Sequence, residues 1–350
     1  MINSLFVLTL AAGFTLLLAW SFKTLPGERW QIIASVPVAK EAPGRWRGVN
    51  LTFYGLLTAN AYGAAVAVLF VLLGSVSVPL WSILVVVAFI LMLCVPASKL
   101  IARVVEKKSY TFTVGGASFV GIVLAPWVIT FIRKVSAGMV DIHIPMMPAL
   151  AALSISYALG EGIGRLACIS FGCCYGKPLS RVHPILRRIF ENHSFIFFGK
   201  TKKIAYASGM DGEKVIPVQA ITSVLYIAAA LIGIHLFLHS HFPSALILTV
   251  VITQGWRAFS ELLRADYRGE GIVSAYQIMG VIAIVYSLTL PMLFPSEAIG
   301  PPDLMAGLGY VWNPTSLLFL YALRLAIFLY TGRSMVTGST LSFHVNGNRI

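Results

Sequence analysis

Charge is scarce in this sequence, and acidic charge is scarcer still. Only 11% of the 350 residues are Asp, Glu, Lys or Arg, against roughly 25% in a soluble globular protein. That shortage excludes an ordinary water-facing surface. With 58% hydrophobic residues and a mean hydropathy of +0.84, it places the chain in lipid. The 13 acidic residues stand against 26 Lys and Arg, a formal net charge of +13. In a membrane protein such an excess arises from basic cytoplasmic loops or from attraction to anionic headgroups. No basic-aromatic module or zinc-finger pattern accompanies it, so a nucleic-acid partner is not expected. Cysteine is also sparse: Cys94, Cys168, Cys173 and Cys174 are too few for a disulfide scaffold. No Cys-x-x-Cys pair with a matching His pair appears, which argues against zinc.

Long apolar runs are what the sequence has in quantity. A bilayer core about 30 Å thick needs about 20 apolar residues in a helix. Nine candidates lie near 2–22, 50–73, 77–98, 115–133, 148–171, 217–239, 243–262, 273–294 and 314–331. The first lacks a basic start and a small-residue cleavage site, so it reads as a retained helix rather than a signal peptide. The second and third are separated by so short a turn that they read as a helical hairpin. The last carries Arg324, which is costly at a bilayer centre unless it faces protein or water. The expected fold is an all-α polytopic membrane protein, a bundle of about 7–9 transmembrane helices.

Polar residues gather between the spans. Residues 23–49 read as a loop and 99–109 as a short basic one. The stretch 177–216 mixes Arg181, Arg187, Arg188, Lys200, Lys202 and Lys203 with Phe195–Phe198. A loop of that length is usually functional or a small subdomain, and it reads as a head on the membrane surface. The tail after Gly332 is rich in Ser, Thr, Asn and Gly and reads as mobile. Three parts follow: N-terminal helices over 1–109, a core over 110–294 with the head inserted at 177–216, and a C-terminal helix and tail over 295–350.

The segment GEGIGRLACISFGCCYG runs from Gly160 to Gly176. Glu161 and Arg165, four apart, share one helix face and can pair. Small residues in membrane helices are commonly packing surfaces, whereas an ionisable residue at membrane depth is a functional candidate. A second segment, QGWRAFSELLRADYRG, places Arg257, Glu261 and Arg264 on one helix face, with Asp266 and Arg268 beyond. An ion-pair ladder snorkelling at a helix end has the same pattern. Two such segments in a chain with so little charge point instead to one shared site. Guanidinium forks match phosphate oxygens, so an anionic phospholipid is the ligand they suit. Gly115 and Gly116 open a third segment, where helix-start N–H groups can receive a phosphate or the glycines can simply pack. Cys168, Cys173 and Cys174 lie close to Arg165 in sequence. A nearby cation favours a reactive thiolate, while small buried thiols are commonly inert.

With these residues in hand, the chain resembles the prolipoprotein diacylglyceryl transferases of bacteria. The glycine-arginine signature ending in Gly176 carries the likeness, together with its order relative to other pieces. Gly115-Gly116 precede it; Pro217 and Gln219, the Arg257-Glu261-Arg264 helix and Tyr276-Gln277 follow it. The resemblance spans about 110–294. It implies transfer of a diacylglyceryl group from phosphatidylglycerol to the lipobox cysteine of a prolipoprotein, with glycerol 1-phosphate leaving. It further implies that Arg165 and Arg257 hold the phosphate, that Glu261 orients Arg257, and that Gly115, Gly116, Glu161, Gly176, Gln219 and Arg264 line the substrate. Neither a metal nor a cofactor is implied.

The chain departs from the family pattern at several positions. Val114 stands where the family commonly has His, and Cys168 and Cys173 where its signature carries Asn and Glu. Thr222 ends a Pro-Val-Gln-Ala-Ile-Thr start that lacks the family's Tyr and Glu. These replacements motivate an alternative, a relative using another acceptor. A phospholipid-binding or transport protein without chemistry is a third reading. The family reading places signature and head on the extracytoplasmic side of a bacterial inner membrane. Counting Lys and Arg alone would make the same loops cytoplasmic.

Overall fold

The computed structural model describes residues 1–105, 107, 113–136, 144–266, 273–295, 297 and 299–349; Arg268 and most of the end of the basic 99–109 loop lie outside them. The chain is an all-α polytopic membrane protein, and nine helices among the described residues are long and apolar enough to span a bilayer.

Helix α1 (Ile2–Thr24) leads into strands β1 (Ile32–Ala42) and β2 (Arg45–Thr52). The spans α2 (Phe53–Ser75), α3 (Leu80–Val105), α4 (Val114–Ser136) and α5 (Met146–Phe171) follow. The head holds α6 (Pro184–Phe190), β3 (Phe195–Ile196), α7 (Lys203–Ser208) and β4 (Lys214–Val215). The chain then crosses again as α8 (Val218–Leu238), α9 (Phe242–Ser260) and α10 (Ala275–Leu293), lays down the short α11 (Leu304–Trp312), and returns as α12 (Pro314–Thr331) before β5 (Arg333–Ser342).

Local chemistry sets these boundaries. The Thr52 hydroxyl accepts from Gly55 N at 3.3 Å to start α2. Ser274 and Gln277 form a reciprocal capping box at the start of α10. Helix α5 ends at Gly172, whose φ of 70° is the left-handed cap that a residue without Cβ adopts most cheaply.

Four expectations need correction. The basic 99–109 loop is helix as far as Val105, the end of α3. The 23–49 loop and the mobile tail are both largely strand: β5 pairs with β2 and β2 with β1 in one three-stranded antiparallel sheet. The tail's Thr337 hydroxyl accepts from Asn50 at 3.2 Å. A β-carbon on Gly55 would stand 2.1 Å from Gly332 Cα, so only glycine lets the two backbones meet there. The tail is polar because its strand faces water, not because it is unpaired. The second and third spans do follow one another through a short turn at Val76–Pro79. They do not pack as a hairpin, however: α2 lies on α5, α11 and α12, while α3 lies on α4. Arg324 on α12 escapes the cost of an unpaired charge by donating to Asn60 on α2 at 2.5 Å.

Helix α5 is the most enclosed span, packed on α2, α8 and α9. Its glycines permit this. A β-carbon on Gly160 would stand 2.9 Å from Ala65, and one on Gly162 would stand 2.9 Å from Ile227. These two glycines therefore pack helices rather than bind ligand.

The contacts sort the helix ends into two sets. At one end lie the sheet, the head, the ends of α1, α3, α5, α9 and α12, and the starts of α2, α4, α8 and α10. The far end is marked by Arg133–Glu297 at 2.8 Å, Asp303 N to Ser75 O at 2.8 Å and Asn3 to Leu238 O at 3.2 Å.

Lys202 ties the head to the bundle. Its side chain is fully buried, and Nζ donates to Ser170 O at 2.7 Å and Leu25 O at 3.2 Å. These carbonyls belong to the ends of α5 and α1, where a cation is favourably placed. Burial nevertheless pulls the ammonium pKa down from 10.5 to about 8, with Glu28 opposing the shift. Between pH 8 and 10.5 the unfolded chain binds the extra proton, so stability rises with pH across that window. Below pH 8 the full cost of the buried charge, about 3 kcal/mol, is present. Thermal midpoints measured from pH 7.5 to 10.5 should therefore climb more in the wild type than in Lys202→Met. Parallel curves would show that Lys202 is not the titrating group.

Candidate functional site

Helix α5 carries Tyr157, Glu161, Arg165 and Cys168 at spacings that keep them on one face. Glu161 is the hub. It pairs with Arg165 one turn away and with Arg257 of α9 at 3.1 Å. Arg257 Nη2 also donates to the Tyr157 hydroxyl at 3.3 Å. All three charged side chains are nearly enclosed, with exposures of 11%, 8% and 12%.

The third arginine comes from beyond α9. Arg264 holds Asp266 through two parallel bonds of 2.8 and 2.9 Å. Its backbone forms a bridge with Gly176, flanked by Lys177 N to Leu263 O at 2.9 Å and Ala265 N to Tyr175 O at 3.1 Å. On its other side Gly176 lets the chain before α8 come close, because a β-carbon there would stand 2.4 Å from Ile216 O. Gln219 at the start of α8 donates to Cys173 O at 2.8 Å and fixes the signature turn from below. Arg165, Arg257 and Arg264 thus sit within electrostatic reach of one another.

Two of these guanidiniums are incompletely used. The Nε atoms of Arg165 and Arg257 are buried and have no hydrogen-bond partner. Buried donors without partners cost about 1–3 kcal/mol each, and a tetrahedral oxyanion such as a phosphate, with several acceptor oxygens, suits such donors. Gly115, at the start of α4, faces the same place: a β-carbon on it would stand 2.6 Å from Arg257 Nη1 and 2.8 Å from Tyr276. At Gly116 the missing side chain makes room for Ile101 of α3 instead.

Glu261 does not take the partner that the helical pattern offers it. The expected ladder of Arg257, Glu261 and Arg264 needs α9 to continue, but the α-helix stops at Ser260 and tightens into a 3₁₀ turn over Glu261–Leu263. The tighter turn rotates the residues after Glu261, Arg264 among them, off the Arg257 face. The Glu261 carboxylate accepts from Ser274 Oγ at 2.5 Å, bracing the start of α10. The carboxylate that orients Arg257 is Glu161. Tyr157 is one neighbour that sequence reasoning missed, and its position four residues before Glu161 is the signal that pointed to it; Tyr226 of α8, also beside Arg257, gave no such signal.

The three signature cysteines converge as well. The sulfurs of Cys168, Cys173 and Cys174 all lie within 4.8 Å of one another, and Arg165 Nη1 lies 3.9 Å from Cys168 Sγ. Hydrogen bonding to Cys168, then to Cys174, and then burial push the Cys173 thiol well above its ordinary pKa. In the metal-free protein it is a neutral thiol near pH 7, a weak nucleophile. Cys173→Ser is therefore expected to keep most of the activity and anion affinity of metal-free protein. Loss of turnover with lipid still bound would make the thiol the nucleophile instead.

The sequence matches no protein-family model and no curated protein.

Proposed function

We propose that the chain is a phospholipid-dependent diacylglyceryl transferase, a divergent relative of the prolipoprotein diacylglyceryl transferases. The observation that carries this reading is the convergence of Arg165, Arg257 and Arg264 around two buried, unpartnered Nε donors. The phosphate of phosphatidylglycerol, or of a similar anionic phospholipid, suits that place. The acceptor thiol gives up its proton, which ends on the departing phosphate monoester, and its sulfur attacks the glyceryl carbon. A carbon–sulfur bond forms as the carbon–oxygen bond to phosphate breaks, and glycerol 1-phosphate leaves with the electron pair. Arg165 and Arg257 stabilise the charge that grows on the leaving phosphate, and Glu161 orients both.

In this reading the site opens on the extracytoplasmic face of a bacterial inner membrane, and the acceptor is a prolipoprotein. Production in cells depleted of their own lipoprotein transferase tests it. Modification of a reporter lipoprotein is the expected result, whereas an inserted protein that leaves the reporter untouched removes prolipoprotein as the acceptor. Phospholipid binding without any product would reduce the protein to a lipid-binding role.

One observation favours a second reading, with the same chemistry turned toward the cytoplasm and a different acceptor. The site end carries Arg29, Lys40, Arg45, Arg47, Lys99, Arg103 and the basic head, whereas among the described residues at the far end the Lys and Arg are Arg133 and Lys134. The positive-inside rule makes the richer side cytoplasmic. A C-terminal reporter fusion decides between them, because β5 lies at the site end. Alkaline phosphatase activity supports the first reading, and fluorescence of a cytoplasmic reporter supports the second.

A further inference from the structure

We propose that Cys168, Cys173 and Cys174 form a binding site for a soft, thiophilic metal cation, held as a three-thiolate complex. The inference stands apart from the transfer reaction, since it rests on the sulfurs and the charges around them.

The backbone brings the three sulfurs together from two directions. Cys168 lies on the last turn of α5. Gly172 then reverses the chain, and Cys173 N returns to Cys168 O at 3.0 Å. Cys174 takes a φ of 57°, a conformation that costs a side-chain-bearing residue roughly 1–2 kcal/mol. Gln219 holds the Cys173 carbonyl from α8. The result is three sulfurs within 4.8 Å of one another. Sulfurs bound at about 2.3 Å around one ion in a plane are about 4 Å apart, so small side-chain rotations close the site.

The surrounding charge selects the kind of ion. Arg165 lies 3.9 Å from Cys168 Sγ, and Arg264 and Lys203 act electrostatically on Cys174. Such a field repels a bare cation held by neutral ligands. It stabilises a cation wrapped in three thiolates, because that complex carries net negative charge with either a monovalent or a divalent ion. The carboxylates beside these arginines, Glu161 and Asp266, are engaged with them, so they are not free to serve a hard cation, which requires oxygen ligands. Thiolate ligands select ions such as Cu(I) and Zn(II). Cu(I) takes three sulfurs alone; Zn(II) needs a fourth ligand.

The test uses the full chain, reduced, in nanodiscs under anaerobic conditions. Cu(I) is titrated against a chromophoric chelator and Zn(II) in a parallel series. Binding of about one equivalent of either ion is expected, with X-ray absorption showing three sulfurs near 2.3 Å. Cys168→Ser, Cys173→Ser and Cys174→Ser should each weaken binding by more than the roughly 10–100-fold that loss of an outer partner costs. Cys94→Ser, which alters a thiol on α3, should bind as the wild type does. Retained phosphatidylglycerol binding shows that each serine variant is folded; should the wild type itself fail to bind that lipid, a monodisperse elution profile serves instead. The proposal is overturned if neither ion binds stoichiometrically, or if the triple serine variant binds as tightly as the wild type.

Discussion

Arg165→Ala and Arg257→Ala are each expected to lower the rate of transfer by about 10²–10³-fold. Both guanidiniums are buried, both already use terminal nitrogens on Glu161, and both have an idle Nε. A charge-assisted bond to a phosphate oxygen is worth about 1.5–3 kcal/mol, and its loss in the transition state appears directly in the rate. Lysine should not restore activity at either position. Its ammonium is a point charge without the planar fork that offers Glu161 one edge and a phosphate another. The measurement is turnover of labelled phosphatidylglycerol, with lipid affinity read in parallel. Near-wild-type turnover by both alanine variants would remove the arginines from the chemistry and leave them as structural ion pairs.

The second large effect is expected at Glu161. Glu161→Gln keeps the shape but removes the negative charge shared by Arg165 and Arg257. Two buried guanidiniums are then left facing each other. Breaking a buried pair in this way costs about 3–5 kcal/mol, which should appear as a lower thermal midpoint in nanodiscs of neutral lipid. Anionic phospholipid should recover part of that loss, because its phosphate supplies the missing charge. The recovery should exceed the shift that the same lipid gives the wild type. A variant that melts like the wild type would show that Glu161 does not hold these arginines, and one indifferent to anionic lipid would show that no phosphate reaches them.

How far the sequence reaches can be judged residue by residue. The lack of charge and the apolar runs are bulk properties, and any fold of this chain must bury those runs in lipid. They therefore determine the class of protein and the nine spans to within a few residues, except that the third runs on to Val105 where its end was expected at 98. The Glu161–Arg165 pair was equally legible, since four residues along a helix is a fixed geometry. The same rule fails for Arg257 and Glu261. A helix end is set by what its backbone meets next, and here Arg264 leaves α9 to bridge Gly176, some ninety positions earlier.

Only tertiary structure decides contacts at such separations, because they depend on which helices lie side by side and not on local spacing. Helix packing brings Arg257 to Glu161, sets Gly115 beside Arg257 while Gly116 faces Ile101, and pairs the polar tail with β2. It also turns Cys173 and Cys174 back on Cys168. The sequence by itself determined that this is a membrane bundle with a few arginines at depth. Packing decided which carboxylate holds those arginines and which of their nitrogens remain for a ligand, because a side chain's partners are chosen by the helix across from it.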